Sequence, residues 1–307
     1  MNVIHHSHEL QPGNRKVCVA IGVFDGVHLG HQQVIRQAIS DAHQQEGISV
    51  AITFDRHPNA VVAPDRSPPL IYPLSKKTKL LEALGTDTTL LLHFDEAFSK
   101  IPADGFIRNL VRDFQNVHSI CVGSTFTFGH KRQGNVDLLN ALGSELGFVV
   151  HGLAAVSLDN ERVSSTRIRH AITRGELDFA SQLLGRPYSL VGSITEGDKL
   201  GRKLGFPTAN IDVNGLIVPP TGVYAAHARI NGKVHRAVLN IGFRPTLQQP
   251  TPQLRVEAHL LDFTENIYGF EMEIQFIRKL REELTFSSVE ALKKQIANDI
   301  EIARHLF

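Results

Sequence analysis

The chain has 307 residues, a hydrophobic content of 42% and a formal net charge of +1. This length allows two domains of ordinary size, and the near-neutral charge indicates neither a nucleic-acid partner nor a membrane surface. No apolar run reaches the roughly 18 residues that a membrane span requires, and the start of the chain lacks the apolar segment of a secretory signal. Cys18 and Cys121 lie in apolar runs, which predicts buried thiols in a reducing, cytoplasmic location.

The first half of the chain alternates predicted strands and helices after a solvated N-terminal tail that contains His5, His6 and His8. Apolar runs predict strands over 17–23, 48–54, 89–94, 117–123 and 148–153. Amphipathic spacing predicts helices from about 31 to a stop at Gly47, from a Ser75 cap to Gly85, over 103–114 and over 138–146. Prolines predict a long irregular loop over 58–73. This alternation predicts an α/β fold with a doubly wound parallel sheet.

The turn after the first predicted strand, residues 22–31, reads Gly-Val-Phe-Asp-Gly-Val-His-Leu-Gly-His. In such a sheet it lies at the carboxyl end of a strand, where ligands bind. The helix that follows offers free N–H groups and a partial positive charge, which suit a phosphate. His28 and His31 are three residues apart and can face one pocket, where they could stabilise developing charge. The alternative is a tight turn with two solvated histidines.

This segment resembles the HxGH signature of the nucleotidyltransferase superfamily. The flanking Phe-Asp-Gly narrows the resemblance to the FMN adenylyltransferase module of bacterial bifunctional riboflavin kinase/FAD synthetases. The resemblance implies that His28 and His31 are catalytic. It also implies that the turn binds the phosphates of ATP through Gly22, Phe24, Asp25, Gly26 and Gly30.

Two further stretches carry the same resemblance. Residues 53–58, Thr-Phe-Asp-Arg-His-Pro, are similar to the family's TFxxHP loop, and residues 122–129 are similar to its VGxxFxFG stretch. These matches imply flavin contacts at Phe54, His57, Pro58 and Phe126. The chain departs from the family at 124–125, where Ser-Thr replaces a frequent acidic or amide pair, and at 23, where Val stands in place of Asn or Met.

Residues 163–169, Val-Ser-Ser-Thr-Arg-Ile-Arg, combine hydroxyls that can cap a helix with two guanidiniums that can bind phosphate oxygens. The alternative is a capped surface helix with solvated arginines. The segment resembles the superfamily's ISSTxIR motif, which holds the leaving β- and γ-phosphates of ATP. The resemblance implies this role for Ser165, Thr166 and the catalytic Arg169, with Arg167 at the variable position assisting.

The pattern changes near residue 185, after one or two short helices predicted over 171–184. Short β-like runs separated by Gly, Pro and Asn predict strands over 190–194, 222–230, 235–241, 254–261 and 272–276. They indicate an antiparallel barrel or sandwich, followed by a helix over 288–307 that Ser287 opens. The predicted domains are therefore 1–185 and 186–307.

The chemistry of the second half is predicted in a glycine-rich loop and the segment that follows it. Backbone N–H groups and cations can wrap a polyphosphate there, at Gly197, Lys199, Gly201, Arg202 and Gly205. Thr208 and Asn210 face the same way in an extended chain and offer oxygen ligands that suit Mg²⁺. The alternative is a basic surface loop before a strand.

Residues 201–210, Gly-Arg-Lys-Leu-Gly-Phe-Pro-Thr-Ala-Asn, resemble the most specific string of the riboflavin kinase module, so the resemblance covers nearly the whole chain. It implies an antiparallel β-barrel kinase domain with a C-terminal helix, in which Thr208 and Asn210 hold Mg-ATP. Glu257, on an otherwise apolar strand, is either solvent-facing or a catalytic base, and the resemblance implies the base. Asn240 and Arg281 match positions that contact the flavin.

The predicted function is a bifunctional enzyme of FAD biosynthesis. The C-terminal domain phosphorylates riboflavin to FMN, and the N-terminal domain adenylylates FMN to FAD with release of pyrophosphate. ATP with Mg²⁺, riboflavin and FMN are the expected small-molecule partners, and the oligomeric state stays open. The rivals are a nucleotidyltransferase for another phosphorylated substrate and a flavin- or nucleotide-binding regulator that has lost one activity.

Overall fold

The computed structural model of the chain describes residues 1–196, 200–244 and 253–307. The chain divides into two compact units. The first, the α/β unit, contains Met1–Arg167 and Leu183–Gly185, and the second, the barrel unit, contains Ile168–Gln182 and Arg186–Phe307. Within the described ranges, no helix combines the length and apolar character needed to cross a membrane.

The α/β unit is built on a six-stranded parallel sheet, as predicted. Its strands are β1 Asn2–Ile4, β2 Val17–Ile21, β3 Ile48–Phe54, β4 Thr88–Leu92, β5 Val117–Gly123 and β6 Val149–Leu153, and a separate hairpin of β7 Ser157–Leu158 and β8 Glu161–Arg162 follows the sheet. The order is β1-β4-β3-β2-β5-β6, so the chain winds outward from β2 in both directions. The switch point of this doubly wound sheet therefore lies between β2 and β5, and their carboxyl ends form the crevice where such folds bind ligands.

Six helices accompany this sheet: α1 Leu29–Gln44, α2 Asn59–Val62, α3 Leu74–Ala83, α4 Glu96–Ser99, α5 Ala103–Phe114 and α6 Val136–Leu146. Helix α7, Ser165–Arg174, begins in this unit, while the rest of it and most of α8, Leu177–Leu184, belong to the barrel unit. Every residue of β2 is buried. Alternate β2 residues enter two separate clusters, Val19 with Ile107 of α5 and Ala20 with Ile35 of α1. Burial on both faces explains why this strand is a continuous apolar run.

The three histidines of the N-terminal tail are exposed, as predicted, while β1, which was not predicted, pairs in parallel with β4 at Thr88–Leu90. Two local predictions for the α/β unit were wrong. The 58–73 segment contains α2 and a 3₁₀ turn at Pro64–Arg66. Ser75 does not cap α3, whose N-cap is Pro73 without a side-chain hydrogen bond. In both places a proline stands at the start of a helical segment, Pro64 in the 3₁₀ turn and Pro73 before α3, because its fixed φ suits the first turn and its missing N–H is not needed there.

The barrel unit contains a closed antiparallel barrel, also as predicted. Its strands are β9 Ser189–Thr195, β10 Ala209–Ile211, β11 Gly222–Ile230, β12 Lys233–Arg244, β13 Gln253–Leu260 and β14 Glu271–Arg281, in the order β10-β13-β12-β11-β14-β9. Two helices accompany them, α9 Leu200–Leu204 and α10 Val289–Arg304. Closure leaves the sheet without an open edge.

The sequence reading of this unit missed three features. Strand β10 was not predicted. The residues of α9 were predicted to be part of a glycine-rich loop and are helical instead. The reading also assigned the cap of the last helix to Ser287, whereas the hydroxyl of Ser288 accepts the Ala291 N–H at 3.1 Å. Helix α10 packs outside the barrel, where Ile300 and Ala303 meet a cluster that includes Val223 of β11.

Candidate active sites

Two histidine rings stack at the start of α1. His28 is the N-cap of this helix, and its Nδ1 accepts the backbone N–H of His31 at 3.3 Å. The ring centroids of His28 and His31 are 3.5 Å apart with an interplanar angle of 18°. Because Nδ1 of His28 accepts a hydrogen bond, the proton of the neutral ring lies on Nε2, which can donate to an anion. His28 is 6% exposed, so few waters compete for that donor.

The backbone of this turn holds three residues at positive φ. Phe24 has φ 51°, Gly26 has φ 80° and Val27 has φ 41°. The ring of Phe24 is 1% exposed and meets the His31 ring edge-on at 5.4 Å. A Cβ on Gly22 would lie 2.6 Å from that ring. Strain of this kind persists only where the surroundings hold it, and it is typical of functional turns.

The Ser-Thr-Arg segment meets this turn through α7. The hydroxyl of Ser165, the first residue of α7, donates to the carbonyl of Asp25 at 3.0 Å. The hydroxyl of Ser164 accepts the backbone N–H of Arg167 at 3.3 Å, so Ser164 caps the helix. The two predicted signals of the first half are therefore neighbours in space, and the N-terminus of α7 opens beside the turn.

The remaining residues of these two motifs have different surroundings. Asp25 is buried, and its carboxylate accepts the Ile71 N–H at 3.0 Å, so it anchors the chain after the proline-rich segment. The Arg167 guanidinium donates to the carbonyls of Leu158 and Glu161 in a small hairpin. Thr166 is exposed and Arg169, one turn further along α7, is buried.

A wall of phenylalanines stands at the carboxyl ends of the β3, β4 and β5 strands. Phe54 meets Phe94 at 5.3 Å and Phe98 at 5.9 Å between ring centroids. Phe126 stacks on Phe128 at 5.4 Å with an angle of 12°. Phe54 and Phe126 were predicted as flavin contacts. Phe94 and Phe98 lie outside the matched segments, and Phe128, although it lies within the matched 122–129 stretch, was not assigned a contact. An aromatic surface of this kind suits a planar ring system.

Beside the same strand ends, His57 and Pro58 start α2. Nδ1 of His57 accepts the Asn59 N–H at 3.1 Å. A small cavity of about 20 Å³ is lined by His57 together with Asp25, Asp55 and Lys77. Lys77, on α3, was not singled out from the sequence, because a lysine in an amphipathic helix carries no local signal of burial.

In the barrel unit, strand register aligns three predicted residues in one row. Asn210 of β10 is opposite Glu257 of β13, and Glu257 is opposite Asn240 of β12. Residues directly opposite each other point to the same face of a sheet, about 5 Å apart. Their neighbours along the strands, such as Val256 and Leu239, fill the barrel core. The row of Asn210, Glu257 and Asn240 therefore lies on the outer face.

The glycine-rich segment folds closely against the residues that precede Asn210 in the chain. A Cβ on Gly201 would lie 2.5 Å from the Phe206 carbonyl and 3.0 Å from Oγ1 of Thr208. Gly205 has φ +92°, which ends α9, and Arg202 is exposed. A cavity of about 780 Å³ opens beside Asn210, and this volume is in the range of small-molecule sites. Gly197 and Lys199 lie outside the described residues.

Arg281 is held by the C-terminal helix. Its Nη2 donates to Oδ2 of Asp299 at 2.8 Å, and its Nε donates to both carboxylate oxygens. Asp299 is 4% exposed and also accepts Nε2 of Gln295 at 2.8 Å. A Cβ on Gly242 would lie 1.9 Å from Oε1 of Glu283, so this carboxylate occupies the space beside Asn240.

Comparison with known proteins gives each unit a matching family. The family model described as FAD synthetase matches residues 10–167, and the model described as riboflavin kinase matches residues 184–307. The bifunctional riboflavin kinase/FMN adenylyltransferase of Haemophilus influenzae is 37% identical over 100% of this chain and 99% of its own. The chain belongs to the bifunctional riboflavin kinase/FMN adenylyltransferase family. The member from Bacillus subtilis is 36% identical, again over 100% of this chain and 98% of its own.

The order of the two modules in this bifunctional family is the order predicted from the motifs, and the family assignment is confirmed. The fold of the whole chain also has a solved counterpart. The crystal structure of a macrolide-efflux protein from Streptococcus pneumoniae matches with a TM-score of 0.81 and 28% identity, over 99% of each chain. That likeness concerns the fold.

Proposed function

We propose that the chain phosphorylates riboflavin to FMN in residues 186–307 and adenylylates FMN to FAD in residues 1–185. The observation that carries this proposal is the match of two separate family models, FAD synthetase over 10–167 and riboflavin kinase over 184–307, each of which covers one group of residues suited to bind phosphate. Riboflavin, FMN and ATP are the substrates. The buried thiols of Cys18 and Cys121 support the cytoplasm as the place where it works.

In the α/β unit, a phosphate oxygen of FMN attacks the α-phosphorus of ATP. The bond between the α-phosphorus and its bridging oxygen breaks, and pyrophosphate leaves. Nε2 of His28 is placed to donate to the phosphate on which charge develops, and the stacked His31 fixes the orientation of that ring. Ser165, Thr166 and Arg169 on α7 hold the leaving phosphates, with the N–H groups of the helix start.

The phenylalanine wall supplies the flavin site of this unit. Phe54 and Phe126 present ring faces or edges at the strand ends, beside the turn that carries the histidines. His57 and Pro58 complete its rim. Gly22, Phe24, Gly26 and Gly30 shape the turn so that backbone can approach the nucleotide closely, while Asp25 and Arg167 keep the turn and the hairpin in place.

In the barrel unit, the 5′-hydroxyl of riboflavin attacks the γ-phosphorus of ATP, and ADP leaves. Glu257 takes the proton from this hydroxyl, since it stands between Asn210 and Asn240 on the outer face. Asn240 orients the flavin, and Arg281 shapes the rim through its contact with Asp299. The backbone at Gly201 and Gly205, with Arg202, would surround the polyphosphate, and the sequence assigns the same role to Gly197 and Lys199, which lie outside the described residues.

The donor set of the barrel site fits Mg²⁺. Thr208 and Asn210 offer a hydroxyl and an amide oxygen two residues apart, and the Glu257 carboxylate on the neighbouring strand is left to act as the base. Hard oxygen ligands of this kind are the ones that Mg²⁺ prefers, together with substrate phosphates. Bound there, Mg²⁺ would neutralise charge on the β- and γ-phosphates.

The test is a time course with riboflavin, ATP and Mg²⁺, in which the flavins are resolved by chromatography. FMN should appear first and FAD later. His28→Ala should reduce FAD formation by about 100-fold while FMN still forms, since charge stabilisation by one donor is worth 10²–10³ in rate. Glu257→Gln should stop FMN formation while added FMN is still converted to FAD. Loss of both activities in either folded variant would contradict the two-site assignment.

A further inference from the structure

The side chain of Lys77 reaches from α3 into the carboxyl ends of two central strands. Its Nζ donates to the carbonyl of Phe54 at 2.7 Å, to Oγ1 of Thr53 at 3.2 Å and to the carbonyl of Val23 at 3.4 Å. The hydroxyl of Thr53 in turn donates to the same Val23 carbonyl at 2.9 Å. One ammonium group therefore joins the end of β3 to the first turn residues after β2.

The acceptor at Val23 lies immediately before the strained part of the turn. Phe24 follows it at φ 51°, and the Phe24 ring packs edge-on against His31, whose ring stacks on His28. A shift of the Val23 carbonyl would therefore move the ring on which the His31–His28 pair rests. Catalytic geometry of this kind is sensitive to displacements of about 1 Å.

The charges around Lys77 come from three segments. Asp25 lies on the turn, and Asp55 and Arg56 follow β3, beside His57 in the same small cavity. The carboxylate of Asp55 also accepts the Phe94 N–H at 3.1 Å and contacts Nδ1 of His93. Burial lowers the pKa of Lys77 to about 8, although the charges of Asp25 and Asp55 oppose this change.

We propose that Lys77 is a positioning residue for adenylyl transfer, and that its ammonium group holds the Val23–Phe24 backbone in the geometry that the His28–His31 pair requires. Lys77 does not touch the reacting atoms in this proposal, which rests on the proposed function of the α/β unit. Only the charged form supplies three hydrogen-bond donors for its three acceptors. The proposal thus predicts an effect on turnover more than on substrate binding.

The experiment uses the full chain and measures FAD formation from FMN and Mg-ATP between pH 6.5 and 9.5. The variants are Lys77→Met, Lys77→Arg and, as a matched control, Lys79→Met, which changes an exposed lysine on the same helix. Conversion of riboflavin to FMN is measured on the same samples, since it depends on the barrel unit. Thermal unfolding followed by circular dichroism reports whether each variant is folded.

We expect Lys77→Met to lower kcat for FAD formation by about 10- to 100-fold, with KM for FMN and ATP changed by less than about threefold. Wild-type kcat should fall above pH 8 as Lys77 loses its proton, and Lys77→Arg should remove this basic limb while it restores part of the rate. Lys79→Met should behave as the wild type, and FMN formation should be unchanged in all variants.

Three results would overturn the proposal. One is a wild-type kcat in folded Lys77→Met. Another is a loss of kcat in Lys77→Met that is no larger than the fraction of this variant that is unfolded. The third is a fall of kcat above pH 8 that is the same in Lys77→Arg as in the wild type. This comparison tests the proposal even where Lys77→Met does not fold. If the wild type makes no FAD from FMN at any pH, the proposed function of the α/β unit itself is wrong.

Discussion

The contact between Arg281 and Asp299 gives a prediction whose size follows from burial. Asp299 on α10 is 4% exposed and Arg281 on β14 is 18% exposed, and three donor–acceptor distances between them lie from 2.8 to 3.1 Å. Asp299→Ala would leave the guanidinium partly buried without its counter-charge. Removal of one partner from a buried pair costs about 3–5 kcal/mol. Because the arginine keeps some access to water, we expect the lower end, about 3 kcal/mol.

Urea unfolding followed by tyrosine fluorescence measures this change. The chain has four tyrosines and no tryptophan. Tyr188, Tyr224 and Tyr268 belong to the barrel unit, so the signal reports mainly on it. With a slope of about 2 kcal/mol per molar urea, the midpoint of Asp299→Ala should fall by roughly 1.5 M.

The chain offers a matched control in Asp262. This carboxylate also joins α10 to the rest of the unit, through Arg304 at 2.7 Å, but it is 56% exposed. Exposed pairs contribute little, since water and salt screen them, so Asp262→Ala should move the midpoint far less. Equal shifts in the two variants would refute the reasoning from burial. The double variant Asp299→Leu with Arg281→Met should regain most of the lost stability, since a buried ion pair and an apolar pair are often equivalent.

Three further predictions concern the sites. Phe126→Ala should raise KM for FMN in FAD formation by about tenfold, the equivalent of one lost aromatic contact, while KM for riboflavin in steady-state kinase assays stays unchanged. Asn210→Ala should raise the Mg²⁺ concentration needed for half-maximal FMN formation by about tenfold or more in a metal titration. Because burial lowers the pKa of Lys77 to about 8 from its usual 10.5, the unfolded chain binds more protons between these values. The free energy of unfolding should therefore rise by up to about 3 kcal/mol from pH 8 to 10.5 in the wild type and not in Lys77→Met.

Each of these has a result that contradicts it. An unchanged KM for FMN in Phe126→Ala would remove the phenylalanine wall from the flavin site. A Mg²⁺ dependence in Asn210→Ala equal to that of the wild type would remove Asn210 from the metal site. A rise in stability with pH that persists in Lys77→Met would have to come from another group.

Local sequence determined most of the elements and was enough to locate both motifs. Strand β3 and helix α5 have the predicted bounds, because an apolar run and an amphipathic repeat are complete within the segment itself. The glycine and histidine residues of the turn, and the hydroxyls before α7, were likewise readable, since a turn and a helix cap depend on neighbouring residues. Their resemblance to known motifs then identified the family and the two activities.

Tertiary structure alone decided which strands pair and which side chains lie next to each other. Strands β1 and β10 exist because distant strands accept their backbone hydrogen bonds, so three residues without a strong pattern are enough. Asn210, Glu257 and Asn240 form one row only through the register of β10, β13 and β12. Lys77 and Asp299 look like ordinary charged residues of amphipathic helices in the sequence, and only the structure shows their contacts with partners elsewhere in the chain. Register and burial are properties of pairs of segments, and for that reason no single segment of this sequence carried them.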